Sequence, residues 1–215
     1  MKTKTVASVV CFGLFLLLIA AVKTIDVAKI GPAETSIGLS GINGAIHEMI
    51  GLNTKWYKLT NYLGILAILI GCCFAVLGLI QLIQRKSLLK VDRELLILGG
   101  LFVLMAIVYV LFEFIVINER PVLMPGETHP EASFPSSHTV LVYVILGGVM
   151  MIIGKYVDNS LLCGLIQAVF GVLILAMVFL RLFSGVHWFT DIVGGILLSS
   201  SMLFLFAAIL DRVSE

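Results

Sequence analysis

The sequence predicts an all-α polytopic membrane protein, a bundle of six transmembrane helices with a short interfacial helical segment between helices 1 and 2. Three observations predict it. Of the 215 residues, 60% are hydrophobic and 13% charged, whereas a soluble domain is nearer half apolar and a quarter charged. The mean hydropathy is +1.13. The apolar residues also gather into runs of about 20, the length of helix that crosses a bilayer's hydrocarbon core. Each run must be helical in lipid, where backbone groups find no water to bond. One membrane-embedded domain over residues 1–215 is the expected organisation. A net charge of +1 gives no basic footprint for nucleic acid. Cys11, Cys72, Cys73 and Cys163 all lie inside apolar runs without redox or metal-ligand spacing, so they read as small buried hydrophobes.

The runs follow in order. Thr5–Val22 lies between Lys4 and Lys23; lysines before an apolar core also suit a signal peptide, but Ala20-Ala21-Val22-Lys23 is a poor cleavage site and a retained span is expected. Leu59–Gln84 lies between Lys58 and Arg85. Leu95–Phe112 follows Glu94, and its apolar character continues to Ile117. Thr139–Gly154, Asn159–Leu180 and Ile192–Leu210 complete the set. Between the first two runs, Ile37–Asn43 and Ile46–Ile50 carry apolar residues at three- and four-residue spacing, which predicts the interfacial helix. His47 belongs to that packed segment, and Trp56 and Tyr57 to the headgroup level. With the N-terminus inside, the short basic loop Arg85–Arg93 is cytoplasmic, both termini are cytoplasmic, and every polar cluster described next falls on the outer face.

Those clusters stand at the ends of apolar runs between Asn118 and Asp191. Polar groups beside hydrocarbon are costly to place and usually functional. His187 and Asp191 are four apart, so on a helix both side chains share a face. A carboxylate there can hold the proton of one imidazole nitrogen and leave the other free as base or nucleophile. Arg181, six residues upstream, and Arg120 are suited to clamp phosphate: planar, always charged and bidentate. Pro135-Ser136-Ser137-His138 can open a helix, whose free amides and serine hydroxyls bind anions, with His138 pointing into the same pocket. Zinc held by His138, His187, Asp191 and His129 is the rival reading; two arginines beside them would repel a cation, so an anion site without metal is favoured.

At these residues the chain resembles the type 2 phosphatidic acid phosphatase superfamily of membrane lipid phosphate phosphatases. The family's motifs are K-x6-R-P, P-S-G-H and S-R-x5-H-x3-D. Here they read Glu113-x6-Arg120-Pro121, Pro135-Ser136-Ser137-His138 and Leu180-Arg181-x5-His187-x3-Asp191. The resemblance implies a metal- and cofactor-independent phosphatase. In it His187 attacks phosphorus to give a phosphohistidine, Asp191 orients it, and His138 protonates the leaving oxygen. Arg120, Arg181, Ser136 and Ser137 hold the phosphate. It also implies a lipid phosphate or diphosphate taken from the outer face of a bacterial cell membrane. A polyprenyl diphosphate is the first expectation, then phosphatidylglycerol phosphate or phosphatidic acid. Two other functions fit the residues: a phosphotransferase, and a non-catalytic lipid-phosphate binder or transporter. The second is suggested by Glu113, which stands where the family has lysine. Glu113 is seven residues before Arg120, two helical turns if the helix runs on, and is expected to pair with it and aim its fork, the alternative being a buried carboxyl with no catalytic part.

Overall fold

The computed structural model describes residues 2–124 and 126–214. Its helices among the described residues are α1 (Lys2–Thr24), α2 (Ser40–Ile50), α3 (Thr54–Arg85), α4 (Arg93–Phe114), α5 (Ser137–Ile152), α6 (Ser160–Phe183) and α7 (Phe189–Ser214). Six are long and apolar enough to cross a membrane, and α2 is the short helix between the first two of them. A small antiparallel pair, β1 (Ala28–Lys29) and β2 (Ser36–Ile37), precedes α2 and was not expected from the sequence. Asp26 then starts α2, accepting from the Ser40 hydroxyl at 3.0 Å and the Gly41 amide at 2.6 Å. Those bonds hold its carboxyl below the ordinary range.

The spans agree with the apolar runs, with two informative differences. Helix α3 begins a turn earlier than Leu59 because the Asn53 side chain caps it, accepting from the amides of Lys55 and Trp56. At 32 residues it is about 48 Å long, more than the roughly 30 Å hydrocarbon core, so its extra turns carry Tyr57 and Thr60 to the polar end. Helix α4 stops at Phe114 rather than running on through Ile117.

Helices α5 and α7 form the centre: 61% of each spanning window is buried, against 11–17% in the other four, whose remaining surface is the apolar one lipid would cover. Close approach makes this possible. A Cβ on Gly147 of α5 would strike Leu203 of α7, and one on Gly194 would strike the Phe134 ring. Helix α1 lies along α7, and Ser8 and Ser201 exchange hydroxyl-to-carbonyl bonds of 2.8 and 3.0 Å. At one end of the bundle Asp92 collects Gln81, Arg85 and Tyr156, tying α3 and α4 to the turn after α5. The polar clusters are at the other end.

Candidate active site

The link between α6 and α7 is a tight turn, Ser184 to Trp188. Gly185 adopts φ +68°, and a Cβ there would collide with the Gly51 carbonyl after α2. The turn delivers His187 to a buried position and opens α7 so that Asp191 falls in its first turn, where the helix dipole favours a carboxylate. Asp191 is fully buried and its oxygens are well supplied with donors. Oδ2 accepts from the Trp188 amide at 2.9 Å and from the Ser133 hydroxyl, and Oδ1 from Asn118 Nδ2 at 3.3 Å.

The geometry assigns the histidine tautomer. Ser133 has one hydroxyl proton and gives it to Asp191, so its oxygen accepts from His187 Nδ1, 3.2 Å away. Nδ1 is also 3.5 Å from Asp191 Oδ2. Nε2 is then the atom with the lone pair, and it is buried with no hydrogen-bond partner in the protein. Burial, helped by the charges of Arg181 and Arg120, holds the His187 pKa well below the ordinary histidine value, so the ring is neutral.

Both arginines are aimed. Arg181, in the last turn of α6, is fully buried. Its Nη1 donates to Thr60 Oγ1 at 3.1 Å, and its guanidinium lies 5.2 Å from the centre of the Tyr57 ring. Nε and Nη2, the edge suited to two phosphate oxygens, are buried and unpartnered. Arg120 sits where the loop after α4 doubles back: Arg120 N bonds Glu131 O at 2.9 Å, and Ser133 N bonds Asn118 O at 2.9 Å. Its Nη2 pairs with Glu131 Oε2 at 2.7 Å and its Nε is buried and free of partners. His138, in the first turn of α5, lies within electrostatic reach of Arg181, His187 and Arg120.

Of the residues expected at the site, His138, His187, Asp191, Arg120 and Arg181 therefore come together, and Ser137 lines the cavity beside His138. Ser136 is wholly buried at the α5–α7 junction; its amide donates to Asp191 O at 3.0 Å and its hydroxyl accepts from Thr139. The expected pairing of Glu113 with Arg120 is corrected. Because α4 ends at Phe114, the two are not on successive turns of one helix; the loop brings Glu131 to Arg120 instead. Glu113 faces the cavity and Tyr109, one turn before it. His129, the fourth member of the zinc reading, is exposed on the loop, and no metal-holding group of three His, Cys, Asp or Glu is found among the described residues.

Ser133, Thr60, Tyr57 and Glu131 were missed from the sequence. Their only signal was that they are polar or amphipathic groups close to the ends of apolar runs. His47, expected to be packing, is half-buried with its ring centre 5.4 Å from that of Trp188. Trp188 in turn donates from Nε1 to Glu119 O at 2.7 Å. Asn43 of α2 accepts from the Thr190 amide at 3.2 Å, clipping α2 to the start of α7.

The profile of the PAP2 superfamily matches residues 66–214, more than half of the chain, and takes in His138, His187, Asp191, Arg120 and Arg181. The chain belongs to the PAP2 superfamily. It is an integral membrane phosphatase of that superfamily. Among solved structures it is similar to the first transmembrane PAP2 type phosphatidylglycerolphosphate phosphatase from Bacillus subtilis, with 22% identity, a TM-score of 0.66 and 96% of each chain covered; this likeness shows the shared fold. No curated protein sequence matches the chain.

Proposed function

We propose that this protein hydrolyses a lipid phosphate through a phosphohistidine on His187, with the site on the outer face of the cell membrane. One observation carries the reading: buried nitrogens of three side chains, His187 Nε2, Arg181 Nε and Nη2, and Arg120 Nε, lie at one end of the bundle without partners. A neutral nucleophile among unpaired guanidinium edges is arranged for a phosphoryl group, whose charge spreads over its outer oxygens as it is transferred. His187 Nε2 forms a bond to phosphorus while the bond to the lipid oxygen breaks, and His138 gives that oxygen its proton. Water, deprotonated by His138, then breaks the P–N bond and releases inorganic phosphate. Asp191 and Ser133 keep Nδ1 protonated throughout. The superfamily supports a lipid phosphate as the substrate class, and the Bacillus subtilis neighbour of the same fold is a phosphatidylglycerolphosphate phosphatase. The outer-face placement is supported by the basic loop Arg85–Arg93, at the end of the bundle opposite the site.

The test is release of inorganic phosphate from lipid phosphates by the purified protein, with acid quenching during turnover to trap label on histidine. His187→Ala should release none and trap none. Label retained in that variant, or phosphate release at the parent's rate, would overturn the reading.

A further inference from the structure

The cavity beside the site has a volume of about 440 Å³ and lies between α3, α4 and α5. His138 is on its wall, with Ser133 and Ser137, and Asn61, Tyr109 and Glu113 contribute the other polar groups; the remaining lining is apolar. If His138 protonates the leaving oxygen, this cavity takes the leaving group, so the inference rests on the phosphatase reading above. Glu113 is the one acidic side chain in its lining, and no lysine or arginine accompanies it among the described residues. Arg120 offsets that charge only in part, because Glu131 already pairs with its Nη2. Tyr109 lies within reach of Glu113, Glu131 and Arg120 alike, so these charges share one neighbourhood at the cavity rim.

The two kinds of lipid phosphate differ on this side of the reacting phosphorus. In a monoester the leaving atom is an alcohol oxygen, uncharged until its bond to phosphorus breaks and then neutralised by the proton from His138. In a diphosphate the leaving group is a second phosphate, which carries negative charge in the bound ground state and leaves with more. Like charges held close in a partly desolvated site repel, and such a repulsive element sets specificity in many sites. We propose that Glu113 selects lipid monophosphates and turns lipid diphosphates away. This reverses the order of substrates expected from the family resemblance, in which a polyprenyl diphosphate came first.

The experiment compares farnesyl phosphate with farnesyl diphosphate, one tail with two headgroups, in detergent with chelator present. For the parent protein kcat/KM should favour the monophosphate by about tenfold or more. Glu113→Gln should cut that ratio and Glu113→Lys should cut it further or invert it. Higher salt should shrink the parent's ratio and leave that of the Gln variant nearly unchanged, which a purely structural role of Glu113 would not do. The ratio is internal to each preparation, so partial loss of folded protein does not alter it. A parent that uses the diphosphate as well as the monophosphate, or a ratio indifferent to both substitutions, overturns the selection. Phosphate released from neither lipid would instead overturn the phosphatase reading, and this inference with it.

Discussion

Ser133→Ala removes a hydroxyl that touches both members of the His187–Asp191 pair and nothing that would touch phosphate. In the parent the Ser133 oxygen is 3.2 Å from His187 Nδ1 and its proton goes to Asp191 Oδ2. Without it, Nδ1–H has only Asp191 at 3.5 Å, beyond good hydrogen-bond length. The carboxylate keeps the Trp188 amide and Asn118. Two buried hydrogen bonds are then lost, and the one to the charged Asp191 acceptor alone is worth about 1.5–3 kcal/mol. If it falls on the transition state, where the ring gains positive charge, kcat drops about ten- to a hundredfold, since about 1.4 kcal/mol is a decade in rate. KM should change little, because neither arginine is disturbed. The assay is steady-state phosphate release, extended to Asp191→Asn and to the double variant. The two groups orient one ring, so the double variant should lose far less than the product of the single losses. Wild-type kcat in Ser133→Ala, or strictly multiplicative losses, would refute the reasoning.

Other outcomes follow from the same geometry. Asp191→Asn should leave lipid binding largely intact while lowering kcat by roughly a hundredfold or more, because the imidazole loses its orienting charge; chelator should leave the parent's turnover unchanged. Tyr57→Leu and Thr60→Val should each raise KM more than they lower kcat, since both groups aim Arg181 without touching the reacting atoms; equal losses in kcat alone would count against that role. Gly185→Ala should destabilise the protein in detergent by more than about 1 kcal/mol, seen as a lowered unfolding temperature, because the position needs a positive φ and has no room for Cβ. In a cysteine-free background, a cysteine at Thr128 should react with an impermeant reagent from outside the cell and one at Leu89 should not; the inverse pattern would move the site to the inner face.

The spans were legible because crossing a bilayer demands composition rather than fine pattern: an apolar run of sufficient length has few other solutions. Their ends were less so. Asn53 extends α3 by a cap whose effect is local, and Phe114 ends α4 although the chain stays apolar for three more residues. Glu113 and Arg120 would be two turns apart only along a helix that ran on, and α4 stops at Phe114. In the site, charged residues and histidines stood out because hydrocarbon surroundings make them rare. Ser133 and Thr60 did not, because a hydroxyl near a helix end is common and its partner here is 54 or 121 positions away. Such pairings exist only once the loop after α4 has folded back and α3 has met α6.

The gathering of Asn118, Ser133 and Trp188 onto one carboxylate also sets an order for the protein's birth. Asp191 is in the first turn of the last span, so a ribosome has delivered five membrane-crossing helices and both arginines before the group that assembles the centre exists. Until α7 enters the bilayer, the doubled-back loop has no carboxylate to close on, His187 has no orienting partner, and Ser136 has no carbonyl to receive its amide. On the proposed mechanism the nascent chain is therefore threaded into the membrane catalytically silent, and its hydrolytic power arrives in one step with its final helix.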